Sequence, residues 1–225
     1  MDNILHYPTS CIVNSNVPKT KFYTFLDVNP KMKTRFVNDV VNIHWLYKLS
    51  AQTINVTSSE DMVEVDVFVA TLKGPDCPPD LFTFIDMNMP RHIVFILVYE
   101  SNAMLLINYK DWTDKTHTKF KIRQSFSTKW MPIKDLHLPI DGQSLERIYD
   151  NFVATVSGIG EHKAGAMAEI VDLKQRIAKM ETELRNMEAK VRKEPQYDIQ
   201  IKMNKEVKAK RQELTTLKKE LEKLK

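Results

Sequence analysis

Carboxylates and lysines set among apolar residues are where chemistry would have to sit. Glu64 and Asp66 alternate with Val63, Val65, Val67 and Val69, and Lys73 follows; Glu100 and Lys110 bracket a second apolar stretch. A nuclease of the metal-dependent restriction type needs a carboxylate on one strand, an Asp or Glu on the next, and a Lys two residues on to stabilise the attacking hydroxide. Neither set has that spacing, since Asp66 to Lys73 would span about 23 Å of extended chain. The five glycines form no Gly-x-Gly-x-x-Gly or Gly-Lys-Ser loop, which excludes the usual nucleotide cradles. No His-Glu-x-x-His and no Cys/His pair at metal spacing occurs, the six histidines are scattered, and neither Cys11 nor Cys77 has a paired base. No catalytic residue, metal ligand or cofactor is therefore assigned, and the chain reads as non-enzymatic.

Two patches suit contact better than catalysis. Lys119-Phe120-Lys121-Ile122-Arg123 alternates basic and apolar residues, with Lys129-Trp130 further along. On a strand, Lys119, Lys121 and Arg123 share a face and could track phosphates, with an aromatic nearby for stacking. The plainer reading puts Phe120, Ile122 and Trp130 in the core and the cations in water. His44-Trp45 and Tyr47-Lys48 could form a recognition face if the segment is helical, although half of those side chains must then be core.

The more extensive contact signal lies at the C-terminus. Ile170, Leu173, Ile177, Met180, Leu184, Met187 and Val191 follow one another at alternating spacings of three and four. Val207, Leu214, Leu217, Leu221 and Leu224 repeat the pattern, with Lys210 at one seam position. Such stripes stay buried only when helices supercoil together. The two seams differ in register by two residues, and Arg192-Lys193-Glu194-Pro195-Gln196-Tyr197 separates them. Pro195 lacks an amide donor and disfavours helical geometry at Glu194. Two helices of near-equal length, roughly 40 Å each at 1.5 Å rise per residue, are predicted to form an antiparallel hairpin. A hairpin can bury its seams within itself, or leave them to be completed by a second copy or another protein.

Length and charge bound the remainder. Of 225 residues, about 160 precede the hairpin, enough for one domain core. Residues 162–225 carry 17 Lys and Arg against 11 Asp and Glu, whereas residues 1–161 carry 16 against 18. The basic surplus thus sits on the hairpin, in Lys190-Val191-Arg192-Lys193 and Lys208-Ala209-Lys210-Arg211. No apolar run of 18 residues occurs, and Met1-Asp2-Asn3-Ile4 lacks the start of a signal peptide. With two cysteines in separate segments, free thiols in a cytoplasmic protein are expected, with no membrane contact.

Local patterns give the elements. Residues 1–16 lack periodicity and read as a flexible arm. Residues 17–157 form a globular head, 158–164 a hinge around Gly158-Ile159-Gly160, and 165–225 the hairpin. Asn29-Pro30 caps a helix whose face of Phe36, Val40, Ile43 and Tyr47 runs to about Leu49. Val63 to Ala70 is a strand with one well-buried face. Pro78-Pro79 opens a short helix that ends before Pro90. His92–Tyr99 and Ala103–Tyr109 pair through a short turn, Thr118–Trp130 adds a third strand, and Ser144–Ser157 is a helix. The fold class is α+β: an antiparallel meander packed with helices, followed by the coiled-coil hairpin.

Several motifs resemble a known family. They are Val17-Pro18-Lys19-Thr20-Lys21-Phe22-Tyr23, Ile43-His44-Trp45-Leu46-Tyr47-Lys48-Leu49 with Thr53-Ile54-Asn55, Pro90-Arg91-His92-Ile93-Val94-Phe95, Ser127-Thr128-Lys129-Trp130, and Lys193-Glu194-Pro195-Gln196-Tyr197 leading to Lys202-Met203-Asn204. From Val17 onward the chain resembles an uncharacterised bacterial family, domain of unknown function 4391, although the turn has Pro195-Gln196-Tyr197 where a basic residue and Phe are expected. The resemblance implies no activity. It implies a genomic setting beside DNA methyltransferase and helicase genes of restriction-modification or phage-defence loci. The expectation is an accessory or scaffold subunit of a DNA-associated complex. It would dock a protein partner, such as a helicase or methyltransferase subunit, or a second copy, through the seams. A nucleic-acid-binding module or cryptic nuclease is the alternative.

Overall fold

The computed structural model describes residues 3–26, 28–113 and 120–225. Contacts divide the chain into two compact units, Met1–Ile159 and Gly160–Lys225.

The first unit is built on a seven-stranded sheet. In chain order come β1 (Ile12–Asn16), α1 (Lys19–Phe25), α2 (Pro30–Asp39), β2 (Val40–Ser50), α3 (Ala51–Ile54), β3 (Glu64–Leu72) and α4 (Asp80–Asn88). Next are β4 (His92–Tyr99), β5 (Asn102–Trp112), β6 (Phe120–Ser127), β7 (Met131–Pro132) and α5 (Leu145–Ser157). The strands lie in the order β1-β2-β3-β4-β5-β6, with β7 also paired to β5. The sheet is mostly antiparallel, as expected, but β3 and β4 run parallel with α4 as their crossover. One face packs Phe68, Phe95 and Leu106 against Phe22, Phe36, Phe82 and Ile85 of α1, α2 and α4. The opposite face is covered by α5, through Ile148, Phe152 and Val156.

Three local expectations change. The helix predicted to reach Leu49 stops at Asp39, and Val40–Ser50 is a strand. Phe36, Val40, Ile43 and Tyr47 suit a helical face, but β-branched Val40 and Val41 and the pairing offered by β1 and β3 favour extension. The N-cap was read correctly: Asn29 Oδ1 accepts from the Met32 amide at 2.8 Å. β3, expected to have one buried face, is covered on both, so Asp66 is fully buried while Val63 just outside is 62% exposed. Residues 1–16, read as an arm, include the edge strand β1 and the buried Tyr7 and Cys11.

The second unit is the expected hairpin of α6 (Met167–Lys193) and α7 (Tyr197–Leu224). Glu194 Oε1 caps the turn by accepting from the Gln196 amide at 2.9 Å. Ion pairs Lys210–Glu183 at 3.0 Å, Arg211–Glu188 at 2.7 Å and Lys218–Glu181 at 2.7 Å cross between antiparallel helices. Lys210, at an apolar seam position, is accommodated because its long stem carries the ammonium out to Glu183.

Candidate partner-binding surfaces

The seam residues meet inside the hairpin. Ile170, Leu173, Ile177, Met180 and Val191 on α6 are buried, as are Val207, Leu214, Leu217 and Leu221 on α7. Leu184, Met187 and Leu224 are half-buried. Most of the stripe is thus satisfied by the chain itself. The apolar surface left uncovered lies elsewhere, at the start of α7: Tyr197 is 73% exposed, and Ile199 and Ile201 are each 39% exposed.

These residues sit among cations. Between residues 189 and 208 the exposed Lys190, Arg192, Lys193, Lys202, Lys205 and Lys208 outnumber Glu194, Asp198 and Glu206. A cleft of about 490 Å³ opens between the helices, lined by Val191, Arg192, Asn204, Val207, Lys208 and Arg211 among others. The crossing ion pairs engage Lys210, Arg211 and Lys218, further from the turn than Lys190, Arg192 and Lys193.

In the head, Lys119 lies outside the described residues. Lys121 and Lys129 are exposed, Phe120 and Phe126 are buried, and Ile122 and Trp130 are half-buried. Arg123 pairs with Asp111 of β5. His44, Trp45, Tyr47 and Lys48 lie on β2 rather than on a helix. Tyr47 is fully buried, and the Trp45 indole donates to Asp66 Oδ1 at 3.0 Å.

The carboxylates and lysines considered for catalysis are separated. Lys73 donates to the Val37 carbonyl at 2.8 Å, capping the end of α2. Glu100 occupies the β4–β5 turn with φ 52°, far along the hairpin from Lys110. Asp66 and Glu64 instead share Arg91, whose Nη1 lies 3.3 Å from Asp66 and 2.5 Å from Glu64; Lys48 reaches Glu64 at 2.5 Å. Burial, then the Glu64 charge, pushes the Asp66 carboxyl up to about 7, against the pull of Arg91.

A second charge network was missed from sequence. Fully buried Asp86 of α4 pairs with Lys110 and accepts from Asn108 Nδ2 at 2.7 Å. Lys110 also donates to the Arg91 carbonyl at 2.6 Å. Burial pushes the Asp86 carboxyl up and the Lys110 ammonium down, and their mutual contact opposes both shifts. A register shift between Tyr109 and Lys110 leaves Arg123 as the extra residue on β6, a bulge in the strand that pairs with β5 beside this lysine. His92 lies among Trp112, Phe120 and Tyr149, and burial holds its pKa well below the usual value, leaving a neutral ring. The available signal was polarity out of place: an Asp, an Asn and a Lys within apolar segments. Among the described residues no three His, Cys, Asp or Glu side chains converge as metal ligands.

A family model described as domain of unknown function 4391 matches residues 5–214. The chain belongs to this family. No curated protein and no solved structure matches it. In this family member, no described helix is long and apolar enough to cross a membrane.

Proposed function

We propose that this member of the domain of unknown function 4391 family is a non-enzymatic docking subunit whose hairpin carries the binding end at its turn. The carrying observation is the exposure of Tyr197, Ile199 and Ile201 around the first turns of α7, on a hairpin that buries most of its seam within itself. Exposed aromatic and aliphatic side chains rimmed by cations suit a protein partner with an acidic rim around an apolar patch. Charge argues against a second copy, because two such ends would bring like cations together. A cytoplasmic, DNA-associated assembly containing a helicase or methyltransferase subunit is the setting we favour, on the genomic association that the family resemblance implies.

The test is co-expression with candidate helicase or methyltransferase subunits, followed by size-exclusion chromatography. The double variant Ile199→Asp/Ile201→Asp should keep wild-type helicity and lose the complex, while Lys121→Ala in the head should retain it. A complex indifferent to the tip variants would overturn the docking reading. The other reading, nucleic-acid contact by the basic hairpin, predicts instead DNA affinity that falls steeply with salt and drops in Lys190→Ala/Arg192→Ala/Lys193→Ala.

A further inference from the structure

Two of the three exposed apolar residues at the start of α7 share a face with the wall of the hairpin cleft. Tyr197, Ile201, Asn204, Lys208 and Arg211 recur at spacings of four, three, four and three, so they stack along a single side of the helix. Ile199 stands on the other side, because two residues along a helix turn through about 200°. Asn204, Lys208 and Arg211 form the α7 wall of the cleft, and Glu188 and Arg192 form the α6 wall. Val191 and Val207, 8% and 5% exposed, are its apolar floor. Tyr197 and Ile201 therefore continue the cleft toward the turn, and the whole face from Tyr197 to Arg211 is about 21 Å long at 1.5 Å rise per residue.

Charge completes the description of this groove. Arg211 donates to Glu188 at 2.7 Å, which neutralises the one carboxylate lining the cleft. Arg192 and Lys208 are exposed, one on each wall, and enter no ion pair among the described residues. Two uncompensated cations thus flank an apolar floor. A phosphate backbone would engage the cations but has nothing to bury against Val191, Val207, Tyr197 and Ile201. A second copy would bring the same cations together. A helix with an apolar stripe between acidic residues meets every one of these groups, and the groove between two packed helices is a seat into which a third helix fits.

We infer that the hairpin's ligand is an acidic amphipathic helix of another protein, laid lengthwise in this groove. Its apolar stripe covers Tyr197, Ile201, Val191 and Val207, and carboxylates on its two flanks meet Arg192 on one wall and Lys208 on the other. The length of the face calls for about four turns of helix. This inference rests on the docking role proposed above and narrows it to one side of the hairpin, with Ile199 outside the contact.

Methyl NMR of the full-length chain, labelled at isoleucine and valine, tests it with three probes: a capped eighteen-residue peptide with leucines at alternating spacings of three and four and glutamates on either side, its leucine–lysine counterpart, and a twenty-base-pair DNA duplex. The glutamate peptide should shift the methyl signals of Ile201, Val191 and Val207 and leave Ile199 unmoved. Arg192→Glu/Lys208→Glu should weaken its binding by about tenfold or more. The comparison of the peptides is made on the wild-type protein and stands whatever that variant does. Ile199 moving together with Ile201, equal shifts with the lysine peptide, or no shift with any probe would overturn the inference. Shifts with the duplex alone would assign the groove to phosphates, and shifts that grow with protein concentration and no probe would assign it to a second copy; both outcomes also overturn it. In the co-expression assay, Ile201→Asp alone should lose the complex and Ile199→Asp alone should keep it. Loss of the complex in Ile199→Asp overturns the groove assignment but leaves docking at the turn intact, whereas a complex kept in both variants overturns the two readings together.

Discussion

The Asp66 carboxyl receives Trp45 Nε1 and Arg91 Nη1 yet has its pKa raised to about 7, because loss of water outweighs those donors. A carboxyl whose folded pKa exceeds its unfolded value near 3.9 contributes stability that is fully present below the unfolded pKa and lost as pH rises through the folded one. The wild type should therefore lose stability relative to Asp66→Asn between about pH 4 and 7. A rise from 3.8 to about 7 corresponds to an effect on the order of 4 kcal/mol at full ionisation. Urea denaturation of both proteins at pH 4, 6 and 8 checks this; parallel curves would remove Asp66 as the source. The Asp86–Lys110 pair answers to different physics. Asp86→Ala leaves Lys110 buried without its counter-charge and should cost about 3–5 kcal/mol, whereas Asp86→Leu/Lys110→Met removes both charges and should recover most of that loss. If the double variant is no more stable than the single one, the network contributes through packing of α4 on β5 rather than through charge.

At the level of elements, the hairpin, α4, the β4–β5 turn and α5 were legible because each carried its own signal. Ser144, for example, precedes the periodic face of α5 and does cap it, accepting from the Arg147 amide at 3.2 Å. β2 was misread because its apolar residues fit both a helical face and a two-sided strand, and only the neighbouring strands decide between them. The buried charge networks were hidden for a related reason: Asp86 and Lys110 are 24 residues apart, and nothing in that spacing announces contact. The parallel β3–β4 pair was likewise a property of the α4 crossover rather than of either strand. Within the hairpin, burial grades the seam. Leu217 is 5% exposed and Leu184 is half-buried, so Leu217→Asp should cost several kcal/mol and lower helicity, while Leu184→Asp should cost clearly less. Circular dichroism during thermal unfolding reads both, and equal losses would mean that the seam is buried more uniformly than these side chains imply.

On the scale of the whole molecule, the two units differ in what sustains them. The head has a core covered on both faces of a seven-stranded sheet, whereas the hairpin rests on one seam and the ion pairs that cross it. Gly158 ends α5 with φ 67°, a left-handed cap that closes the helix, and its amide returns to the carbonyl of Thr155 at 3.4 Å. A chain ending at Ile159 should fold cooperatively and retain the protected amides of β3, β4 and β5, because no strand of the sheet lies beyond β7. It should also lose any partner bound through Tyr197, Ile199 and Ile201. Solution NMR of the shortened chain reads both its folding and its protected amides. A head that collapses to a molten state without residues 160–225 would mean that the sheet depends on the hairpin for its stability.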